Sequence, residues 1–235
     1  MRFIKKCFPI ILLLASYSGF AQLSHPHFIS LNLGTSIPLS EYDQLDSSIT
    51  ADLGNYYSFE AGAYFSRVLG VALNIGAFNN NSDKSSIEEN LKNDIRFSNG
   101  KAEVSSDAWS NGYIMLGPIL SLGGNKFIVD LKVLGGLMNS TRPLLNIENK
   151  SLNNTYSRNS ESNASTFGLN YGLHFRIKLY KKLGLRVNAE GFMANQEFET
   201  KVQENNGTAE PTVREEKVKQ EISALNLGAG LILTF

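Results

Sequence analysis

From Phe167 to Leu179 every odd position is apolar: Phe167, Leu169, Tyr171, Leu173, Phe175, Ile177 and Leu179. Every even position is glycine or polar: Gly168, Asn170, Gly172, His174, Arg176 and Lys178. On a helix the two sets would mix around the circumference, whereas on a strand they separate onto two faces. The stretch is well beyond the roughly 5–6 residues usual for a strand in a soluble domain. One wholly apolar face of this length needs a large apolar partner. A lipid bilayer is such a partner, and a spanning strand needs roughly 9–11 residues to cross it.

The same pattern recurs along the chain. A first strand is expected at about Phe28–Gly34, with Ile29, Leu31 and Leu33 outward. A second, about Tyr57–Ser66, sends Tyr57, Phe59, Ala61, Ala63 and Phe65 outward and Ser58, Glu60, Gly62 and Tyr64 inward. The third is Val71–Phe78. The fourth, Trp109–Leu122, leaves its register open: Tyr113, Met115 and Ile119 compete with Ile114, Leu116 and Leu120 for the apolar face. Pro118 lacks a ladder donor and suggests a bulge there. The fifth strand, Phe127–Met138, points Asp130 and Lys132 inward; the sixth is the opening stretch. The seventh sets Leu185, Val187 and Ala189 against Arg186, Asn188 and Glu190, and the eighth runs from Leu225 to Phe235. Polar loops are expected over about 36–55, 79–107, 139–165 and 197–219, with a short helix at Ile87–Leu91 inside the second. Tight turns follow strands two, four and six.

Residues 1–21 read as a signal peptide: basic Arg2, Lys5 and Lys6, apolar Phe8–Ala15, and a small-x-small site at Gly19-Phe-Ala21. The apolar run is short of the ~20 residues a spanning helix requires. The only cysteine, Cys7, lies in this segment, so the expected mature chain, 22–235, has no thiol chemistry. Removing three of the 22 basic residues leaves 19 against 22 acidic ones, a net charge of −3. That gives no basic patch for nucleic acid.

Short and long connections alternate, independently of the striping. Together the two signals predict an all-β chain: a transmembrane up-and-down antiparallel barrel of about eight strands, with short periplasmic turns and long extracellular loops. The Gly-rich striped strands and the terminal Leu225–Phe235, ending in an aromatic residue, resemble the small outer-membrane β-barrel proteins. That porin-like group includes the outer-membrane protein A and X barrels and the PorT-type barrels. The resemblance implies the outer membrane of a Gram-negative cell. It also implies that Phe235 forms part of the signal read by the barrel-assembly machinery. It names no transported substrate, because the fold hosts adhesins, structural proteins, enzymes and channels.

The inward charges are the candidate functional set: Glu60, Asp130, Lys132, His174, Arg176, Lys178, Arg186 and Glu190. Asp130, Arg176 and Arg186 are expected nearer the short turns, with Glu60, Lys132, His174 and Glu190 one layer higher. Lys132, Arg176, Arg186 and Glu190 are placed to interlock, and Glu60 to reach Arg176 across the lumen. The favoured reading is a polar plug of paired charges, since a barrel of about eight strands is too narrow for an open pore. A gated proton or small-ion path is the sharper alternative, and a narrow channel for small or apolar solutes belongs with it. A lipid-modifying enzyme would need a base near a nucleophile. His25 and His27 lie at the start of the mature chain, and His174 has no serine close along its strand. No catalytic, cofactor or metal site is therefore assigned: a metal site has no Cys and one well-placed His to draw on. Two aromatic girdles are expected, Tyr57, Phe59, Trp109, Phe167 and Tyr171 at the long-loop end and Phe28, Phe65, Phe127, Tyr180 and Phe235 at the other. Expected partners are outer-membrane lipid, the assembly machinery during insertion and an unidentified extracellular or envelope partner met through the loops; nucleic acid is not among them, and the chain is expected to be monomeric.

Overall fold

A computed structural model describes residues 26–39, 51–82, 84, 88, 102–124, 126–149, 154–159, 163–205, 210 and 212–235. The expected signal peptide lies outside these residues, as does the expected helix at 87–91 apart from Glu88. The described residues form eleven strands: β1 (Phe28–Pro38), β2 (Ala51–Tyr64), β3 (Leu69–Ser82), β4 (Ala102–Ser106), β5 (Trp109–Gly123), β6 (Phe127–Thr141), β7 (Leu145–Asn149), β8 (Asn154–Asn159), β9 (Asn163–Tyr180), β10 (Leu183–Asn205) and β11 (Thr212–Thr234). Eight of them pair in the order β11-β1-β2-β3-β5-β6-β9-β10, and β10 pairs back with β11. Every pairing is antiparallel. Closure leaves no backbone edge facing hydrocarbon, where each unmet group would cost several kcal/mol.

Alternation sets which way each wall faces. On β9, Phe167, Leu169, Tyr171, Leu173 and Phe175 are exposed while Gly168, Asn170, His174 and Arg176 are buried. On β10 the exposed apolar row runs from Leu183 to Met193 and then becomes Glu197 and Glu199. Ten residue steps of about 3.3 Å, tilted about 40°, make a belt roughly 25 Å tall, the height of hydrocarbon such barrels cross.

Above that belt the described parts of the expected polar loops are mostly strand. β10 and β11 continue as a paired hairpin as far as Glu204↔Thr212. The top of β10 also pairs with β8, β8 with β7, and β7 with β4. Beside β4, Ser106 Oγ donates to Ser82 Oγ on β3 (3.1 Å), and Asp107 N donates to Leu144 O (3.3 Å). Strands β8, β7 and β4 thus extend the barrel sheet from β10 across the external rim to the neighbourhood of β3. The sequence hides these strands because their outer face meets water. Lys201–Glu215 (3.2 Å), Lys217–Glu199 (2.7 Å) and Lys219–Glu197 (3.9 Å) pair on the outside, while Phe198, Val202 and Val218 are buried inside.

Three side chains and one expected bulge differ from the expectation. β5 keeps one register throughout, with Trp109, Tyr113, Met115 and Ile119 buried and Ile114 and Leu116 exposed. Trp109 therefore fills the lumen instead of joining a girdle. Pro118 makes no bulge: pairing with β6 lapses between Leu116↔Gly135 and Ile119↔Lys132, then resumes in register. Phe28 is also inward and buried, sharing parity with Ser30 and Asn32; Gly62 opposite leaves room, since a Cβ there would lie 2.6 Å from Phe28 Cζ. Lys178 is exposed at the barrel end, where its backbone N donates to Lys126 O (3.0 Å). The remaining expected girdle residues, Tyr57, Phe59, Phe167 and Tyr171 at one end and Phe65, Phe127, Tyr180 and Phe235 at the other, are exposed.

Candidate functional site: the filled lumen

Parity on four strands, β2, β6, β9 and β10, delivers seven titratable side chains to one compartment. Glu60, Asp130, Lys132, His174, Arg176, Arg186 and Glu190 are all at most 3% exposed. Three carboxylates face three permanent cations, which is the balance that burial demands.

Two groups form. Nearer the short turns, Arg176 Nη2 donates to Asp130 Oδ1 (2.6 Å), Tyr64 Oη (2.6 Å) and Ser121 Oγ (3.1 Å). Ser121 Oγ also donates to Asp130 Oδ1 (2.5 Å). Deeper, Arg186 donates from Nη2 to Glu60 Oε1 (2.5 Å) and from Nη1 to Ser30 Oγ (2.7 Å), and it touches His174 Nδ1. Lys132 Nζ bridges Glu60 Oε2 and Glu190 Oε1, the latter at 3.1 Å. Glu190 also accepts from Tyr56 Oη (2.9 Å), Asn74 Nδ2 (3.0 Å) and Asn170 Nδ2 (3.2 Å), with His174 Nε2 at 3.2 Å. The Phe28 ring joins the groups, with Arg176 Cζ 4.7 Å and Arg186 Cζ 4.9 Å from its centroid. Such contacts are worth about 2 kcal/mol when desolvated.

The partners differ from the expected ones in two respects. Glu60 pairs with Arg186 and Lys132, while Arg176 takes Asp130. Arg186 joins the deeper group, although its Nη2 stays 4.0 Å from Asp130 Oδ2. Tyr56, Asn74, Ser121 and Asn170 join the site with inward parity as their only signal in the sequence.

Beyond Glu190 the lumen is crossed by aromatic rings. Tyr113 and Phe192 have centroids 4.7 Å apart, Phe78 and Phe192 5.2 Å, and Trp109 meets Phe198 edge-on at 6.1 Å. Gly76 makes space for one of them, because a Cβ there would lie 2.5 Å from Tyr113 Oη.

Glu60, His174 and Glu190 bring one potential ligand atom each within 4.8 Å of one another. Lys132 sits between the two carboxylates, so its ammonium already holds the place a cation would take. Outside the membrane-spanning belt, Glu199 has its pKa lowered by the hydrogen bond and charge of Lys217, whose own pKa is raised in return.

No family model matches this sequence, and no curated protein matches it. Solved structures do match in shape. A major outer membrane protein from Thermus thermophilus has a TM-score of 0.50 at 13% identity, covering 90% of this chain and 100% of that one. The outer membrane protease OmpT from Escherichia coli has 0.50 at 11%, covering 90% and 97%. The outer membrane protein OprG from Pseudomonas aeruginosa has 0.49 at 17%, covering 90% and 98%. At such identities the likeness to the first two concerns the fold alone. With the closed ring and the apolar belt it leads to one conclusion: the chain is a small eight-stranded β-barrel of the cell outer membrane.

Proposed function

We propose that this barrel is a sealed scaffold that holds its external sheet at the cell surface for recognition, and that its lumen does not conduct. One observation carries the reading. The lumen is occupied across its width by paired charges and, above them, by the Phe78–Tyr113–Phe192 cluster. A conducting path would have to part both. Loops and extensions on a rigid frame are the usual carriers of recognition, and here the frame supports the β10–β11 hairpin and the β8–β7–β4 strands. The partner is a surface or envelope component, the working unit is a monomer, and Phe235 serves as the assembly signal.

The enzyme alternative draws on the fold shared with a protease. Against it, the hydrogen bonds and ion pairs of His174 run to Arg186, Glu60 and Glu190, with no serine among them, and both carboxylates are tied to Lys132. Planar-bilayer recording tests the sealed reading: the protein is expected to give no current steps at high load, and discrete steps would overturn it. Mass spectra of lipid A from cells with and without the protein are expected to coincide, and a modified species would restore the enzyme reading. Excising 197–219 is expected to leave a folded barrel that no longer binds the surface the intact protein binds; undiminished binding would remove the hairpin from the role.

A further inference from the structure

At the short-turn end of the barrel, on the side away from the external sheet, lies a cavity of about 70 Å³. Pro26, Lys126, Ile128, Arg176, Lys178 and Thr234 are among its lining residues. That volume exceeds the roughly 10–15 Å³ needed for one water. Its inner wall is cationic and under-satisfied. Arg176 is 3% exposed, and its hydrogen bonds to Asp130, Tyr64 and Ser121 all leave from Nη2. Nε and Nη1 are buried without a partner. Buried unmet donors on a charged group are costly, and an acceptor arriving there is correspondingly favoured.

The rim adds two ammonium groups. The hydrogen bond from Lys178 N to Lys126 O fixes these lysines on adjacent chain segments. Like charges so placed repel unless an anion lies between them. Asp130, the carboxylate on this side of the lumen, meets Arg176 and Ser121 through Oδ1 alone, and its Oδ2 lies 4.0 Å from Arg186 Nη2, so it leaves Nε and Nη1 of Arg176 unmet. Arg67, Lys181 and Lys182 extend the positive collar, and among the described residues the turns at this end carry no acidic side chain. Phe127 and Tyr180, exposed beside the lysines, mark the depth of the membrane interface.

We infer that this cavity is a binding site for a phosphate oxyanion, held by the Arg176 guanidinium within and by Lys126 and Lys178 at the mouth. Charge-assisted donors of this kind suit phosphate oxygens. The phosphate has two possible sources, a phospholipid headgroup of the periplasmic leaflet and free phosphate in the periplasm, and the same donors serve either.

The test uses the full chain in neutral detergent, with Lys126→Gln/Lys178→Gln as the variant. Both lysines are outside the buried network, so the barrel folds without them. In the first arm, thermal unfolding is followed against sodium phosphate and against sodium chloride at matched ionic strength. A saturable rise specific to phosphate, with apparent affinity weakened about tenfold or more in the double variant, assigns free phosphate. In the second arm, native mass spectrometry follows extraction from phosphatidylglycerol or phosphatidylcholine vesicles. A phosphatidylglycerol molecule retained by the wild type and lost from the variant assigns the headgroup. If wild type and variant behave alike in both arms, the site does not exist.

Discussion

Arg186→Met removes one of three permanent cations from a closed set and keeps roughly the volume of the side chain. Arg186 is fully buried and donates to Glu60 Oε1 at 2.5 Å and to Ser30 Oγ at 2.7 Å. After the change three buried carboxylates face two cations, and Glu60 keeps only Lys132. Breaking a buried pair from one side costs about 3–5 kcal/mol, because the other charge is left uncompensated. The lost Ser30 bond adds about 1 kcal/mol. Glu60→Gln/Arg186→Met restores the charge balance at two cations and two carboxylates. It should therefore recover on the order of 2–3 kcal/mol relative to the sum of the single changes. The assay is reversible urea unfolding in phospholipid vesicles. Trp109, the chain's single tryptophan, is buried against Phe198 and reports the transition. Lys217→Met on the exposed hairpin is the control and should shift the midpoint far less, because an exposed ion pair contributes little. If Arg186→Met falls no further than Lys217→Met, or if the double variant equals the sum of the singles, the lumen is not held by these pairs.

Three further outcomes follow from single features. Phe192→Ala empties a fully buried ring position that touches both Tyr113 and Phe78, and should cost about 3–5 kcal/mol in the same unfolding assay; a cost below about 1 kcal/mol would mean that the rings do not pack as a unit. Lys181 sits in the β9–β10 turn at φ 38°, so Lys181→Asn should hold or raise the midpoint while Lys181→Val lowers stability by about 1–2 kcal/mol; equal effects would contradict the turn geometry. Glu199 and Lys217 predict a pH window. Glu199, lowered in the folded chain, contributes stability above its unfolded pKa that is lost as pH falls through the lower folded value. Lys217, raised in the folded chain, contributes stability below its unfolded pKa that is lost as pH rises through the higher folded value. An NMR titration of the Glu199 carboxyl should show a midpoint below the ordinary glutamate range at low salt, returning toward it in about 1 M salt, where screening acts over about 3 Å; a midpoint unmoved by salt would sink the pairing.

The barrel was legible in the sequence because lipid imposes one rule on every strand: each second residue must be apolar. β9 obeys it without exception over Phe167–Leu179, and β11 nearly so from Leu225 to Phe235. The rule stops where hydrocarbon stops. At Glu197 of β10 the outer face becomes charged, and the period-two signal survives only in Phe198 and Val202 on the inner face. That is too little to separate a strand from a polar loop, so the external sheet was unreadable. β5 was ambiguous for the opposite reason. Its inward row of Tyr113, Met115 and Ile119 is as apolar as its outward row, because this part of the lumen is filled by packing and not by ion pairs.

The candidate site divides along the same line. Parity alone brings Glu60, Asp130, Lys132, His174, Arg176, Arg186 and Glu190 inside. It cannot say which acid meets which base, because that depends on stagger around the ring, which depends in turn on every register between. The shift between Leu183 and Gly184 is one such step, at the start of the strand that carries Arg186 and Glu190. Partner choice in the lumen is therefore a property of barrel closure. A variant that alters the β9–β10 turn should change the coupling between Glu60 and Arg186 without touching either residue. Deleting one residue of the Lys181-Lys182 turn and repeating the Glu60–Arg186 double-mutant cycle tests this: the coupling should shrink if closure sets the pairing, and an unchanged coupling would show that the charges choose each other regardless of stagger.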